Sequence, residues 1–368
     1  MELAEKYGPI GKMWLGPYLY ILVSDSDVVE YVLKQCLAKG SLYRLLEPVF
    51  GNGILTAPNT CMGVDSADLN HQNEYLSWIA EAAIYIGKRF FNPILQINLV
   101  WRLFGYEKKL DHVCVMICAY VRKILERKKC NKDEVAHSSN NKNYLSNLMK
   151  ITEEEGKWTD AEMMEEIQTM TAAGSDTTAL TLSFATIMLA MHQDIQEKVF
   201  KEMCDIFENT DGDPTLDDLT RMDYLERVIK ETMRLFPIAS VLLRQVQEDI
   251  KICDIVIPEG SELLIPVHFI HRNPIHWPDP LKFDPDRFLP EEIEKRPHYS
   301  FMPFSIPPRN CIGMSFAMMS MKVSLSTIIR NFRNISTQHK SVESIKLLID
   351  VVIASKDGYG VTLKPRKT

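Results

Sequence analysis

The spacing of hydrophobic positions changes along the chain, and this change separates helical regions from strand-forming ones. Residues 69–130 and 159–236 repeat apolar positions every three to four residues, which predicts helices in series. Residues 7–23 and 241–267 contain short apolar runs between turn-forming residues, which predicts strands. The pattern therefore predicts a mainly α fold with small β-sheets, an α+β chain.

Local signals add detail to this pattern. Residues 7–23 predict a β-hairpin, and Ser24-Asp-Ser-Asp predicts the cap of a following helix. The strongest helix is predicted from about residue 159 to about residue 191, and Thr159-Asp-Ala-Glu162 has the form of a capping box. The second half of this helix is nearly all apolar or small, so we expect it to be buried on every side.

Further helices are predicted at residues 193–208 and 223–236, and Pro237 ends the second of them. A coil punctuated by prolines runs from Asn273 to Pro303, and a helix is predicted from Gly313 to about Arg330. A coil of this length inside a compact domain is usually functional.

The segment Ala172–Thr178 is unusual inside a buried helix. Glycine costs about 1 kcal/mol relative to alanine there, and the paired threonines compete for backbone hydrogen bonds. One interpretation is that a ligand or cofactor approaches the helix at this point. The other is a close helix crossing, with the hydroxyls bonded to carbonyls of their own helix.

Composition and charge exclude several classes of function and of scaffold. The chain has 368 residues, a net charge of -7 and eight cysteines without a CxxC pair. The acidic balance argues against nucleic acid as a partner, and the scattered cysteines argue against a disulfide scaffold or a zinc ribbon. There is no apolar run long enough to span a bilayer, so we expect no membrane anchor in the chain as written.

Three sets of residues are candidates for chemistry or support. Cys311 stands alone in the proline-rich loop Phe304-Ser-Ile-Pro-Pro-Arg-Asn-Cys-Ile-Gly313, and a nucleophilic role for it would need a base for which the sequence gives no sign. Glu231 and Arg234 lie three residues apart on one helix, where a pair is most often a weak surface salt bridge. His268 and His271 have a spacing that could serve a metal, but we interpret them as structural.

Four motifs follow one another in order: AGSDTT at 173–178, ETMR at 231–234, FDPDRF at 283–288 and FSIPPRNCIG at 304–313. This series resembles the cytochrome P-450 superfamily of haem-thiolate monooxygenases, and within it the insect microsomal branch related to the fourth family. The resemblance implies the cytochrome P-450 fold in an incomplete form, as a single domain over residues 1–368. It also implies insertion of one oxygen atom from O2 into a lipophilic molecule such as a fatty acid, hormone or xenobiotic.

The resemblance assigns roles to individual residues. Cys311 matches the thiolate ligand of the haem iron, and Asp176 and Thr177 match the catalytic acid–alcohol pair on the opposite side. Glu231, Arg234 and Arg287 match a buried salt-bridge triad that holds the coil beneath the cysteine loop. The remaining cofactor-binding residues that the family pattern implies are Arg309 and Arg244 at the haem propionates, Phe304 beside the thiolate, Gly313 and Gly174.

Cofactors, partners and location are implied in the same way. We expect noncovalent haem b, because Ala173 occupies the position of the glutamate that attaches to haem in some relatives. Electrons would come from NADPH through NADPH–cytochrome reductase, with cytochrome b5 as an optional second partner. The expected location is the cytoplasmic face of the endoplasmic reticulum membrane, at the membrane surface.

Two departures from the family pattern define an alternative. Pro307 replaces the glycine of the cysteine loop, and a helical segment with a propionate-binding tryptophan and arginine is expected to be missing near residues 58–59. The N-terminal anchor is expected to be missing as well. The alternative hypothesis is therefore a catalytically inactive truncated relative that binds haem poorly or not at all.

Overall fold

The computed structural model describes residues 10–15, 18–50, 72–130, 144–156, 158–208, 212–252, 254–349 and 351–366. The chain divides into two compact units: Met1–Met13, Ile21–Leu37 and Thr177–Thr368 form the first, and Trp14–Tyr20 and Ala38–Asp176 form the second. The helical segment expected to be missing near residues 58–59 falls outside the described residues.

Helices dominate the described residues, as the sequence pattern predicts, and short 3-10 turns lie at Ser41–Leu46, Pro285–Phe288, His298–Ser300 and Val342–Ser344. In chain order the α-helices are Ser26–Gln35 (α1), Glu47–Phe50 (α2), Gln72–Phe91 (α3), Pro93–Gln96 (α4), Asn98–Leu103 (α5), Tyr106–Cys130 (α6), Tyr144–Glu155 (α7), Asp160–Met191 (α8), Gln193–Phe207 (α9), Leu216–Arg221 (α10), Asp223–Leu235 (α11), Val267–Ile270 (α12), Pro290–Ile293 (α13) and Met314–Asn331 (α14).

The strands are short and form separate small sheets. They are Ile10–Leu15 (β1), Tyr18–Val23 (β2), Ala38–Lys39 (β3), Leu242–Gln245 (β4), Ile250–Ile252 (β5), Ile255–Ile257 (β6), Glu262–Ile265 (β7), Phe332–Thr337 (β8), Leu347–Ile349 (β9), Ile353–Ser355 (β10) and Val361–Pro365 (β11). In the first unit β4 pairs antiparallel with β7 so that Leu242 faces Ile265. Antiparallel pairs also join β5 to β6, β9 to β10 and β8 to β11.

The local signals in the sequence form the elements they predict. β1 and β2 are neighbouring strands, and the Asp25 side chain caps α1 by accepting hydrogen bonds from the backbone N–H groups of Asp27 and Val28 at 2.9 and 3.2 Å. At the start of α8 the Thr159 N–H donates to the Glu162 carboxylate at 2.7 Å. The Glu162 N–H donates to the Thr159 hydroxyl at 3.2 Å, which completes the predicted capping box.

The prediction that the second half of α8 is buried on every side is only partly right. Phe184 and the residues packed around it are fully buried in a cluster with α9, α11 and α14. Ala173, Gly174 and Ala179 are exposed instead.

Each unit has its own hydrophobic cores. In the first unit one cluster joins α8, α9, α11 and α14, and a second joins α1, the strands β4–β7 and the residues before the cysteine loop. In the second unit, α3 and α6 pack together with Ile167 and Ala172 of α8. The cysteine loop is supported by both cores of the first unit.

Candidate functional site

Backbone hydrogen bonds close the loop that carries Cys311. The Cys311 N–H donates to the Phe304 carbonyl at 2.7 Å, and the Ser305 N–H donates to the Met302 carbonyl at 3.1 Å. Ser305 has a φ of 58°, in the left-handed region that non-glycine residues seldom adopt. The Ala317 N–H donates to the Gly313 carbonyl at 2.7 Å, so α14 begins directly after the loop.

Two side chains of this loop fasten it to the cores of the first unit. Ile306 is buried in the cluster that contains Met302 and Leu242. Phe304 packs against the other cluster, which contains Phe283 and Met321. Because the loop is held on both sides of Ser305, its path to Cys311 is fixed by apolar packing as well as by hydrogen bonds.

Cys311 itself is exposed, and exposed apolar residues follow it in the chain. Ile312 and Phe316 beside it have 41% and 56% of their surface exposed. A Cβ atom added to Gly313 would lie 3.9 Å from the Cys311 Sγ, in ordinary van der Waals contact. The cysteine is therefore accessible, and the apolar side chains of Ile312 and Phe316 are accessible as well.

The two candidate propionate-binding arginines lie in the first unit. Arg309 is half-buried in the cysteine loop, whereas Arg244 is buried on β4 and donates to the Leu243 carbonyl at 2.9 Å. Side chains two residues apart on a strand share one face, so Arg244 lies on the face of Leu242 that packs in the same cluster as Ile306. Pro307, in the glycine position of the family pattern, is exposed.

The triad implied by the family resemblance is brought together and buried. Arg234 binds both carboxylate oxygens of Glu231, at 2.6 and 2.8 Å, and neither side chain has exposed surface. The Arg287 Nε lies 3.6 Å from the same carboxylate, and the Asp284 N–H donates to it at 2.9 Å. The spacing alone is most often that of a weak surface salt bridge, but here the coil covers the pair, as the family resemblance implies.

Arg234 also fixes the path of the coil. Its guanidinium donates to the carbonyls of His271, Pro280 and Lys282 at 3.0, 2.7 and 3.2 Å. The fully buried Trp277 ring lies 5.0 Å from the Arg234 guanidinium, a cation–π contact for which the sequence has no signal. The long coil is thus a shaped support for the cysteine loop.

His271 has a structural role, as interpreted from the sequence. Its Nε2 accepts a hydrogen bond from the Met302 N–H at 2.8 Å, which ties the coil to the start of the cysteine loop. Burial, with the nearby Arg234, lowers the pKa of His271 to about 3, so the ring is neutral at ordinary pH. Among the described residues no three His, Cys, Asp or Glu side chains form a metal-binding group.

The AGSDTT segment lies on α8, with Gly174 and Asp176 in the second unit and Thr177 in the first. Burial raises the pKa of the Asp176 carboxyl. A Cβ atom added to Gly174 would meet nothing within 4 Å, so there is open space beside this turn. Nearby hydroxyls bond to their own helix: Ser175 donates to the Thr171 carbonyl, and Thr181 donates to the Thr177 carbonyl at 3.0 Å.

The structure therefore places the candidate residues in two groups. Phe304, Arg309, Cys311 and Gly313 share one loop, with Arg244 on a strand of the same unit. Gly174 and Asp176 belong to the second unit, on the one helix that continues into Thr177. The residues that sequence reasoning did not single out are Trp277, which has no local signal, and Asp284, which lies within the FDPDRF motif.

The residues around Cys311 fit a haem. A cysteine sulfur is one of the side-chain ligands that hold haem iron, and the exposed Ile312 and Phe316 supply an apolar surface for a ring. Arg309 in the same loop supplies a positive charge of the kind that pairs with a carboxylate. The donor set and its surroundings thus agree with the chemistry of the cofactor.

The chain as a whole is similar to known proteins. A family model described as Cytochrome P450 matches residues 56–360. Cytochrome P450 4c21 of Blattella germanica is 28% identical, over 94% of this chain and 84% of its own length. Cytochrome P450 4g1 of Drosophila melanogaster is 28% identical over 99% and 83%, and human Cytochrome P450 4V2 is 28% identical over 100% and 84%. The chain therefore belongs to the cytochrome P450 family, whose members are haem-thiolate monooxygenases.

Proposed function

We propose that this chain inserts one atom of O2 into a lipophilic small molecule, such as a fatty acid, hormone or xenobiotic. Electrons would come from NADPH through NADPH–cytochrome reductase, with cytochrome b5 as an optional second donor. The observation that carries the proposal is the closed loop that leaves Cys311 exposed and accessible to a cofactor. Haem b, when bound there noncovalently, supplies the iron at which dioxygen is activated.

The cysteine loop would hold and shield the ligand. Cys311 binds as a thiolate, and the packing of Phe304 beside it limits access of water. Arg309 and Arg244 supply positive charge for the propionates. Gly313 keeps the space beside the thiolate open, because a side chain at this position would contact the Cys311 sulfur and occupy that space. Ala173 provides no carboxylate for a covalent attachment.

Asp176 and Thr177 would transfer the proton that the reaction with dioxygen requires. A carboxyl group whose pKa is raised by burial holds a proton closer to neutral pH than an exposed aspartate does. Asp176 takes a proton from solvent at its carboxylate, and the Thr177 hydroxyl passes a proton towards the oxygen substrate. The small residue Gly174 leaves room for dioxygen and the lipophilic substrate beside the helix.

A membrane surface is the proposed place of action, at the cytoplasmic face of the endoplasmic reticulum. In the second unit an exposed apolar patch spans α4, α5 and their flanking residues; it consists of Phe91, Ile94, Ile97, Leu99, Leu103 and Phe104. Leu103 has 76% of its surface exposed, and a cluster of large apolar side chains in water marks an interaction site. No helix among the described ranges has the length and hydropathy to cross a bilayer.

The domain is proposed to be a single cytochrome P450 domain without one internal helical segment. The alignment with the human relative extends over 445 positions and includes all of this 368-residue chain. This difference in length supports an internal omission.

The monooxygenase proposal is tested by reducing the purified protein under carbon monoxide and recording its visible spectrum. A thiolate-type Soret band is expected, and Cys311→Ser should abolish it. A band of the histidine type, or no haem band, would instead support the alternative of an inactive truncated relative. Pro307→Gly tests the loop: higher haem content in this variant would identify the proline as the limit on assembly.

Membrane contact is tested by flotation with neutral phospholipid vesicles. The double variant Leu103→Ser, Phe104→Ser should lose most of the vesicle-bound fraction. The matched control is Ile275→Ser, since Ile275 is 81% exposed but lies in the coil of the first unit. Equal losses in both variants would contradict a specific membrane patch.

A further inference from the structure

A cavity with a volume of about 480 Å³ lies in the coil of the first unit, beside the 3-10 turn Pro285–Phe288 and helix α13. This volume falls within the range of small-molecule sites, about 300–1,000 Å³. The charged side chains that line the cavity are Asp284, Asp286, Arg287, Glu292, Lys295 and Arg296. The balance between these charges decides what the cavity can bind.

Each of the three carboxylates in this lining already has a cation beside it. The pairs are Asp284 with Lys282 at 3.0 Å, Asp286 with Arg227 at 2.6 Å and Glu292 with Lys295 at 2.6 Å. A carboxylate at such a distance from a cation interacts mainly with that cation. The three carboxylates therefore do not compensate the charge of Arg287 and Arg296.

The two arginines carry more positive charge than their own partners balance. The Arg287 Nε lies 3.6 Å from the Glu231 carboxylate, but Arg234 binds the same carboxylate. Arg296 forms no ion pair within the part of the chain that the structure describes, and its Nη2 donates to the Arg287 carbonyl at 2.7 Å. Three guanidinium groups thus share one carboxylate, which leaves an excess of two positive charges.

The guanidinium groups of Arg287 and Arg296 are close enough to repel each other. Burial, with the nearby charge of Arg287, lowers the pKa of Arg296. The Trp277 ring lies 4.1 Å from the Arg296 guanidinium, and Arg287 donates to the Asp279 carbonyl at 3.0 Å. Both groups are therefore held in place before a ligand arrives, and an anion that contacts both would relieve their repulsion.

We propose that this cavity binds a small anion that carries a phosphate group, held by Arg287, Arg296 and Lys295. A phosphate group has about 1.5 to 2 negative charges at neutral pH, which matches the excess of positive charge. Planar guanidinium groups bind phosphate oxygens through paired hydrogen bonds. The Lys295 side chain is 64% exposed, so its pair with Glu292 contributes little and its amine is available to the ligand.

The ligand would connect two parts of the coil. Arg287 lies in the turn Pro285–Phe288, and Lys295 and Arg296 follow α13. Because Arg287 also belongs to the ion cluster around Glu231, a ligand that binds the folded coil should raise the thermal midpoint of the chain.

The test is isothermal titration calorimetry of the full chain near neutral pH. The probes are inorganic pyrophosphate and dihexanoyl phosphatidic acid, compared with sodium chloride at the same ionic strength. At least one phosphate compound should bind saturably, and the tighter one distinguishes a soluble source of the phosphate from a lipid headgroup. Arg296→Gln should weaken this binding by about tenfold to a hundredfold, because charge-assisted hydrogen bonds are lost. Lys295→Gln should weaken it by about threefold.

Two further variants separate ligand binding from folding. Arg296 packs on Trp277, so circular dichroism is used to check that Arg296→Gln is folded. Arg296→Lys keeps the charge and should recover part of the affinity. The matched control is Lys201→Gln on α9, which removes an exposed cation from a different cavity and should bind like the wild type.

Three results would overturn the proposal. The first is no saturable binding of either phosphate compound. The second is an equal loss of affinity in Lys201→Gln and Lys295→Gln. The third is an unchanged affinity in Lys295→Gln and both Arg296 variants. The titration needs no haem, so its outcome is independent of the carbon monoxide spectrum.

Discussion

The ion cluster of Glu231, Arg234 and Arg287 and the helix α8 on either side of Ala173 both contain polar groups that are shielded from water at least in part, but the partners of these groups differ. In the ion cluster the Glu231 carboxylate receives two arginines and a backbone N–H. On α8, Asp176 is half-buried without a charge partner that lowers its pKa, and the buried Thr169 hydroxyl lacks a hydrogen bond within the described chain.

This difference in partners distinguishes residues that support the fold from residues that have a functional role. A buried charge with a full set of partners holds chain segments together, and its loss is costly. A buried polar group without partners reduces stability, and such groups concentrate where a ligand binds. The comparison therefore predicts opposite signs for substitutions in the two regions.

The largest effect is expected from Glu231→Gln. The substitution leaves the Arg234 guanidinium buried without its counter-charge, so the free energy of unfolding should fall by about 3–5 kcal/mol. Urea unfolding followed by circular dichroism measures it. The control is Glu292→Gln in the same coil, whose 2.6 Å pair with Lys295 is exposed and should contribute less than about 1 kcal/mol. Similar losses for both variants would refute the assigned role of burial.

A smaller effect on the free energy of unfolding is expected from His271→Gln, and its size depends on pH. The pKa of His271 is about 3 in the folded protein against 6.5 for an ordinary histidine, so only the unfolded chain gains a proton between these values. Wild-type stability should therefore fall as the pH drops from 6.5 towards 3.

The glutamine of the His271→Gln variant keeps an oxygen that can accept the Met302 N–H but does not titrate. The free energy of unfolding of this variant should depend less steeply on pH in that window. Urea unfolding at several pH values measures the slope. An unchanged slope would mean that His271 does not contribute to acid sensitivity.

The smallest change in stability, and of the opposite sign, is expected from Asp176→Asn. Because burial raises the pKa of Asp176 above 3.8, its ionised form weakens the folded state at neutral pH. Asparagine should raise the thermal midpoint at neutral pH and have no such effect below pH 3.8, where the carboxyl is protonated in both states. Turnover should fall by about a hundredfold or more. A lower midpoint at neutral pH would contradict this account.

Local features of the fold could be predicted from sequence because their partners are close along the chain. The capping box of α8 joins residues three apart, and the cap of α1 joins Asp25 to the next helical turn. The burial of Glu231 and Arg234 could not be predicted from their spacing, because it depends on a coil about 50 residues further on.

The candidate site also contains some features that could be predicted from the sequence and others that could not. A motif indicated Cys311, but the closure of its loop depends on packing of Ile306 and Phe304 against two distant cores. Apolar composition predicted that the second half of α8 is buried on every side, but Ala179 is exposed, because burial depends on which elements pack against a face and composition does not show this. The isolated hydroxyl of Thr169 has no signal in the sequence, because the same threonine could bond within its helix.

Arg234 reaches the coil through the carbonyl oxygens of His271, Pro280 and Lys282. Every amino acid has such an oxygen, so this recognition does not depend on which side chain stands at positions 280 and 282. Substitutions at those two positions can accumulate while the route of the chain is kept, provided that the arginine remains. At those two positions the shape of this support is therefore maintained by Arg234 and places no demand on the local side chains.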